Sequence, residues 1–240
     1  MTHSDIFTKY MIEYDKAQIT SSYPSLTKYE IATVLDKAYL AIIAQKFTGN
    51  NTRQVAFEGD IKAIEDLRPL VKTETINTYT RDFEASNGFV YTVPDDFLYY
   101  VNSKTMVGVK MNSIDHVSHS IIDVRLVSHE DASKFMNTSI NLPWVEKPVC
   151  CMQQNQIRVF IDPVFNTLDV PQTLYLTYVQ NPAKFAIKVD SEESYDFGDT
   201  EFELSDTMAE ELINLAIAMS AEVVESPRLT TKLQTRPLES

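Results

Sequence analysis

Four histidines, two adjacent cysteines and a surplus of carboxylates are the groups in this chain that could do chemistry. His116 and His119 are spaced His-x-x-His, which on a helix would begin a zinc site, and His129 follows soon after. The stretch around the pair is β-like, however, and residues three apart on a strand face opposite sides. No cysteine or carboxylate completes a ligand set, so no metal is expected. Cys150 and Cys151 sit side by side, where a bridge between them would be strained. In a strand, Pro148-Val-Cys-Cys-Met would point one thiol inward and one outward. Buried free thiols in a reducing compartment are expected, without redox chemistry. Asp95-Asp96, between Pro94 and an apolar run, reads as an Asx-type turn. With 34 Asp+Glu, a carboxylate pair for glycoside hydrolysis can be drawn in many places, but nothing in the spacing brings two together. Five glycines build no phosphate loop, nucleophile elbow or dinucleotide fingerprint, and no cofactor is expected.

The aromatic residues are a second resource: 12 Tyr, 12 Phe and a single Trp. Tyr91, Tyr99, Tyr100, Tyr175 and Tyr178 fall in strand-like runs, where they could stack on sugars or bases. Packing a sheet is the commoner use of half-buried strand tyrosines. Few lysines are interleaved with them, so a stacking platform for nucleic acid is not supported. Trp144, in the stretch between Pro143 and Pro148, is a loop residue that either anchors a partner or caps a core edge.

The formal net charge is -13 and the sequence pI about 4.7, which argues against gripping phosphate backbones by charge. That charge is unevenly placed. Residues 190–226 hold twelve acids and no base, whereas residues 1–189 hold 21 acids against 18 bases. The last fourteen residues hold three bases and one acid. A solvated acidic loop leading into a helix is the ordinary explanation of such a segment.

The elements that must position these groups are legible from periodicity. Ile6, Phe7, Tyr10, Met11 and Tyr14 recur at helical spacing, predicting a helix over about residues 4–18. Thr27 and Glu30 form a capping box ahead of Ile31, Val34, Leu35, Ala38, Ile42 and Phe47, with Gly49 as the stop. A third helix is expected over about 53–68, with Phe57, Ile61, Ile64 and Leu67 on its apolar face. From about residue 73 short Val-, Ile-, Tyr- and Phe-rich runs alternate with turn residues. They are TINTYT, FVYTV, LYYVNSK, TMVGVKM, HSIIDVRLV, PVCCM, QIRVFID and TLYLTYV, and they predict an antiparallel sheet or small barrel. Ser128 and Asp131 cap a short inserted helix, HEDASKFM. Ser205 then caps a long helix carrying Met208, Leu212, Leu215, Met219 and Val223. A second row at Ile213, Ile217 and Val224 predicts packing on more than one side.

The fold class is therefore α+β: N-terminal helices and a long C-terminal helix forming a bundle, an antiparallel β-rich insert, and an extended C-terminal arm. The expected parts are a helical region 1–72, a β-rich insert 73–189, an acidic segment and C-terminal helix 190–226, and an arm 227–240. The tail from Ser226 reaches up to ~50 Å if extended. Its Arg228, Lys232 and Arg236 alternate with Leu229, Leu233 and Leu238, a composition suited to docking on a neighbour. No apolar run approaches the ~20 residues of a membrane span, and no secretory leader is expected at the N-terminus.

Three segments resemble the ring, or head-to-tail connector and adaptor, proteins of crAss-like Bacteroides phages. They are SYPSLTKYEIATVLDKAYLAIIAQKFTGNNTRQVAFEGDIKAIEDLRPLVKT, GFVYTVPDDFLYYVNSKT and FELSDTMAEELINLAIAMSAEVVESPRLTTKLQTRPL. Together they cover the N-terminal third, the start of the β insert and the C-terminal fifth, and none is a catalytic motif. The resemblance implies a non-enzymatic virion structural protein, assembled in the host bacterial cytoplasm and located in the neck. It implies a homo-oligomeric ring, usually of twelve copies, below the portal and around the DNA exit channel. It further implies partners in the portal and neighbouring ring proteins, reached by the arm residues Arg228, Leu229, Lys232, Leu233, Arg236 and Leu238. Asp190, Glu192, Glu193, Asp196, Asp199, Glu201 and Glu203 would then form an acidic surface that repels DNA sliding through the ring without specific binding. Two other classes stay open: a carbohydrate-recognising virion module using the insert's tyrosines, and a carboxylate-dependent hydrolase. The hydrolase requires an acid with a strongly raised pKa in a cleft.

Overall fold

The computed structural model describes residues 1–16, 26–49, 61–82, 88–110, 117–137, 143–144, 146–161, 173–185, 187–189 and 194–223. Its elements are mixed α+β, and the chain divides into two compact units: Met1–Leu70 with Pro182–Ser240, and Val71–Asn181.

The first unit holds α1 (His3–Lys16), α2 (Lys28–Thr48), α3 (Ile61–Leu67) and α5 (Asp206–Val223), with a two-stranded ribbon of β9 (Ile187–Val189) and β10 (Ser194–Asp196). α2 begins and ends where local chemistry dictates. The Thr27 side chain accepts from the Glu30 amide, Glu30 reaches back to the Thr27 amide at 2.8 Å, and Gly49 closes the helix at φ 72. That left-handed value is one glycine adopts without a Cβ clash. Ile31, Leu35, Ala38, Ile42 and Ile43 are buried along α2, and the helix packs on α5 and α3. α1 also packs on α5, burying Ile6, Tyr10 and Tyr14, with the Tyr10 hydroxyl 2.6 Å from Ser220 Oγ. α5 buries Met208, Leu212, Ile213, Leu215 and Ile217, with Ala209, Ala216, Ser220 and Ala221 among them. These small residues let neighbouring helices approach on more than one side. Ser205 caps α5, accepting from the Met208 amide at 3.4 Å. Val224 lies outside the described residues.

α3 departs from its expected face. Ile61 is 81% exposed and Ile64 half-exposed, while Ala63 and Leu67 are buried. On the inward side Asp66 meets Lys46 of α2 at 3.1 Å. The expected residues 53–60 of this helix lie outside the described residues.

The second unit is built on an eight-stranded sheet in the order β1-β8-β4-β5-β6-β7-β3-β2. Its strands are β1 (Val71–Ile76), β2 (Tyr79–Arg81), β3 (Gly88–Thr92), β4 (Phe97–Lys110), β5 (Val117–Leu126), β6 (Val149–Gln153), β7 (Gln156–Phe160) and β8 (Leu174–Gln180). Two of the expected runs, LYYVNSK and TMVGVKM, are one strand. The polar stretch between them stays in the ladder because its hydroxyls are satisfied: Ser103 Oγ lies 2.9 Å from Tyr100 Oη and Thr105 donates to the Thr173 carbonyl at 3.2 Å. The sheet is not wholly antiparallel either. β5 and β6 run parallel through Arg125↔Val149 and Leu126↔Cys150. Parallel neighbours need a crossover, and α4 (His129–Asn137), capped by Ser128, lies within it.

Tyr91, Val107, Val124, Cys150, Ile157, Val159, Leu174, Leu176 and Tyr178 form the main core on one face of the sheet. Val149, Cys151 and Phe160 make a second cluster with Ala132 of α4. Cys150 and Cys151 fall in different clusters, and both are buried and free, as expected of the pair.

Candidate functional site

The acidic segment is not a uniform surface. Asp199 and Glu201 are exposed. Glu203 is half-buried and engaged: it accepts from the Ala183 amide at 3.3 Å and from the Tyr39 hydroxyl at 3.4 Å. Its charge serves internal hydrogen bonds. Asp196 lies in β10 with only its backbone described, and Asp190, Glu192 and Glu193 lie outside the described residues. So do all six arm residues, Arg228, Leu229, Lys232, Leu233, Arg236 and Leu238. At the start of α5 the carboxylates divide in the same way. Asp206 is exposed with the Met1 amine 3.0 Å away, Glu210 pairs with Lys9, and Glu211 turns to Lys46 at 3.4 Å. Lys46 thus stands between Asp66 and Glu211, with all three side chains between 14% and 19% exposed.

The sheet unit carries a polar cluster that sequence reasoning missed. The Tyr178 hydroxyl of β8 donates to Asp96 at 2.7 Å and lies 3.2 Å from Glu74 of β1, while Lys72 of β1 donates to Asp96 at 2.8 Å. Lys72 and Glu74 are two apart on one strand and so share a face; this alternation is the one signal that pointed here. Asp95-Asp96 does form a turn, but Asp96 is also the hub of this cluster. The Lys72 ammonium, and then the Tyr178 hydroxyl, hold the Asp96 carboxyl below its ordinary range. Burial, and then the two carboxylates, push the Tyr178 hydroxyl well up. An acid held ionised and a phenol held neutral do not exchange protons near neutral pH. The cluster ties β1 and β8 to the turn before β4, and charges on β1 also blunt an edge strand.

The other candidates sort by burial. Tyr91 and Tyr178 are buried, and Tyr99, Tyr100 and Tyr175 half-buried, so these tyrosines pack the sheet. Trp144 is 67% exposed beside the buried Pro143. Burial raises the Cys150 thiol to about 11, with Ser103 and Tyr100 hydroxyls 3.9 Å from its sulfur. Cys151 is likewise raised by burial. A thiol so placed is a poor nucleophile. His116 lies outside the described residues, and of His119 only the backbone is described; no cluster of metal-ligating side chains occurs among the described residues. Asp36 of α2 is a carboxylate raised by burial, and it accepts from the Phe185 amide at 3.0 Å. None of the described helices is long and apolar enough to cross a membrane.

Against known proteins, the chain matches no family model and no curated protein.

Proposed function

We propose that this chain is a non-enzymatic structural protein of a phage virion neck, a ring component below the portal that connects head to tail around the DNA exit channel. The observation that carries the reading is the chain's order. One compact unit is made from both the N-terminal helices and the C-terminal helix, and the β unit Val71–Asn181 is inserted between them. Connector rings of the kind this sequence resembles have that plan, with α1, α2 and α5 as the helical bundle and residues 227–240 as an arm. Twelve copies, contacts to the portal and to neighbouring ring proteins, and a location in the virion follow from the same reading. A closed ring needs self-complementary surfaces rather than a catalytic cleft. Repeated around the ring, exposed carboxylates such as Asp199 and Glu201 present a negative surface past which DNA slides.

The test is electron microscopy of particles of the phage encoding this chain, with the chain labelled in place. A closed ring at the neck with a channel wide enough for duplex DNA is expected. Its absence from purified particles, or its location away from the neck, overturns the reading. Deleting Pro227–Ser240 is expected to leave a folded chain that no longer joins portal or ring neighbours, and unchanged assembly removes the arm from the proposal.

A further inference from the structure

Three titratable side chains, from α1, α2 and the stretch before α5, converge on Ala183–Phe185, where the chain re-enters the helical unit. Asp36 of α2 accepts from the Phe185 amide at 3.0 Å, and Glu203, ahead of α5, accepts from the Ala183 amide at 3.3 Å. The imidazole of His3, the first residue of α1, packs against Phe185, with ring centres 4.4 Å apart. Phe185 is fully buried, with Tyr39 at 5.9 Å and Phe202 at 6.2 Å closing an aromatic cluster around it. Residues 181–185 belong to no helix or strand. Their attachment therefore rests on side chains whose charge states count.

His3 is the sensitive member. Its ring is buried against aromatic carbon, and burial holds its pKa below the ordinary value. The ionisable groups around the clamp are Asp36 and Tyr39 from α2, Lys184 from the segment itself, Glu203 from the stretch before α5, Asp199 and Glu201 on either side of Thr200, whose carbonyl takes the His3 amide, and the Met1 amine. Asp5 and Lys9 share α1 with His3. An imidazolium here would exchange water for aromatic rings.

We propose that the Ala183–Phe185 clamp is an acid-released latch, in which protonation of His3 expels its ring and frees the re-entry segment while α2 stays folded. The folded-state pKa of His3 lies below the unfolded value of 6.5. Its contribution to stability is therefore complete above that value and is lost as pH falls from it through the folded value. Asp36 runs the other way: burial raises its pKa, so the folded chain takes up that proton before the unfolded chain does. The acid form still accepts the Phe185 amide through its carbonyl oxygen. Acid lability belongs to His3, and a local opening of this kind is independent of the virion reading.

Hydrogen exchange read by mass spectrometry on the full chain tests it, comparing the Ala183 and Phe185 amides at about pH 7.5 and about pH 5 after correction for intrinsic rates. Their protection is expected to fall about tenfold or more at the lower pH while the amides of Val34–Ile43 hold. In His3→Gln, which keeps a donor and does not titrate, the dependence is expected to flatten. Should that variant not fold, nuclear magnetic resonance of the wild type supplies the readout: the Phe185 ring signals are expected to follow the His3 titration. Equal protection at both pH values, loss shared with α2, an unchanged dependence in His3→Gln, or Phe185 signals indifferent to His3 would each overturn the latch.

Discussion

Replacing Lys46 by Met tests how the helices are held together. Lys46 Nζ lies 3.1 Å from Asp66 Oδ2 and 3.4 Å from Glu211 Oε2, so one cation joins α2 to α3 and to α5. Methionine keeps most of the stem volume and removes the charge, leaving two carboxylates facing each other away from bulk water. Breaking a fully buried pair by removing one partner costs about 3–5 kcal/mol. These side chains are 14–19% exposed, so water reaches them in part and about 2–3 kcal/mol is expected. With a urea m-value of about 2–3 kcal/mol/M, the midpoint shifts down by about 1 M at unchanged slope. Far-UV circular dichroism follows the helices, which belong to the affected unit. The triple variant Lys46→Met, Asp66→Asn, Glu211→Gln removes the stranded charges and is expected to recover to within about 1 kcal/mol of wild type. A loss below about 0.5 kcal/mol in the single variant, or a triple variant less stable than the single, would refute the argument that this ion triad is buried and mutually compensating.

Further predictions follow from the same inventory. Tyr178→Phe keeps the ring in the core and removes its bond to Asp96; because Asp96 is partly exposed, a loss of about 1 kcal/mol is expected in denaturant unfolding. Asp96 is held low by Lys72 and then Tyr178, so its contribution is present above its ordinary value of 3.8 and is lost as pH falls through the folded value. Stability measured against pH in that acid range should consequently fall less steeply for Tyr178→Phe than for wild type. Cys150 and Cys151 should resist a thiol reagent at about pH 8 in the native state and both react in denaturant, since burial covers them and raises both thiols. Fast labelling of either cysteine in the native protein would contradict that burial. Gly49→Ala should cost about 1 kcal/mol, read as a lower melting temperature, because φ is 72 at the end of α2.

The parts of this protein legible in its sequence are those governed by short-range rules. The Thr27–Glu30 box and Gly49 set the ends of α2, because caps and left-handed stops are satisfied within a few residues. Strand positions followed from turn residues and β-branched runs, and Ser128 and Ser205 marked two helix starts for the same reason. The break expected inside β4 failed because the Thr105 hydroxyl finds its acceptor, the Thr173 carbonyl, only once the sheet has formed. The exposure of Ile61 and Ile64, and the pairing of Asp66 with Lys46 of α2, depend on packing that no local period reports.

The same division applies to the candidate site. The sequence by itself determined that the charge excess lies in residues 190–226. Only the tertiary structure decided which of those carboxylates remain at the surface. Asp199 and Glu201 stay in water, while Glu203 and Glu211 are taken inward by an amide, a phenol and an ammonium group. It likewise decided that β5 and β6 run parallel and that both cysteines are covered, since α4 returns the chain across the sheet. Charge and capping are properties of neighbours in sequence. Burial and ion pairing depend on what packs opposite, and that is set by residues as far apart as Lys46 and Glu211 or Tyr39 and Glu203.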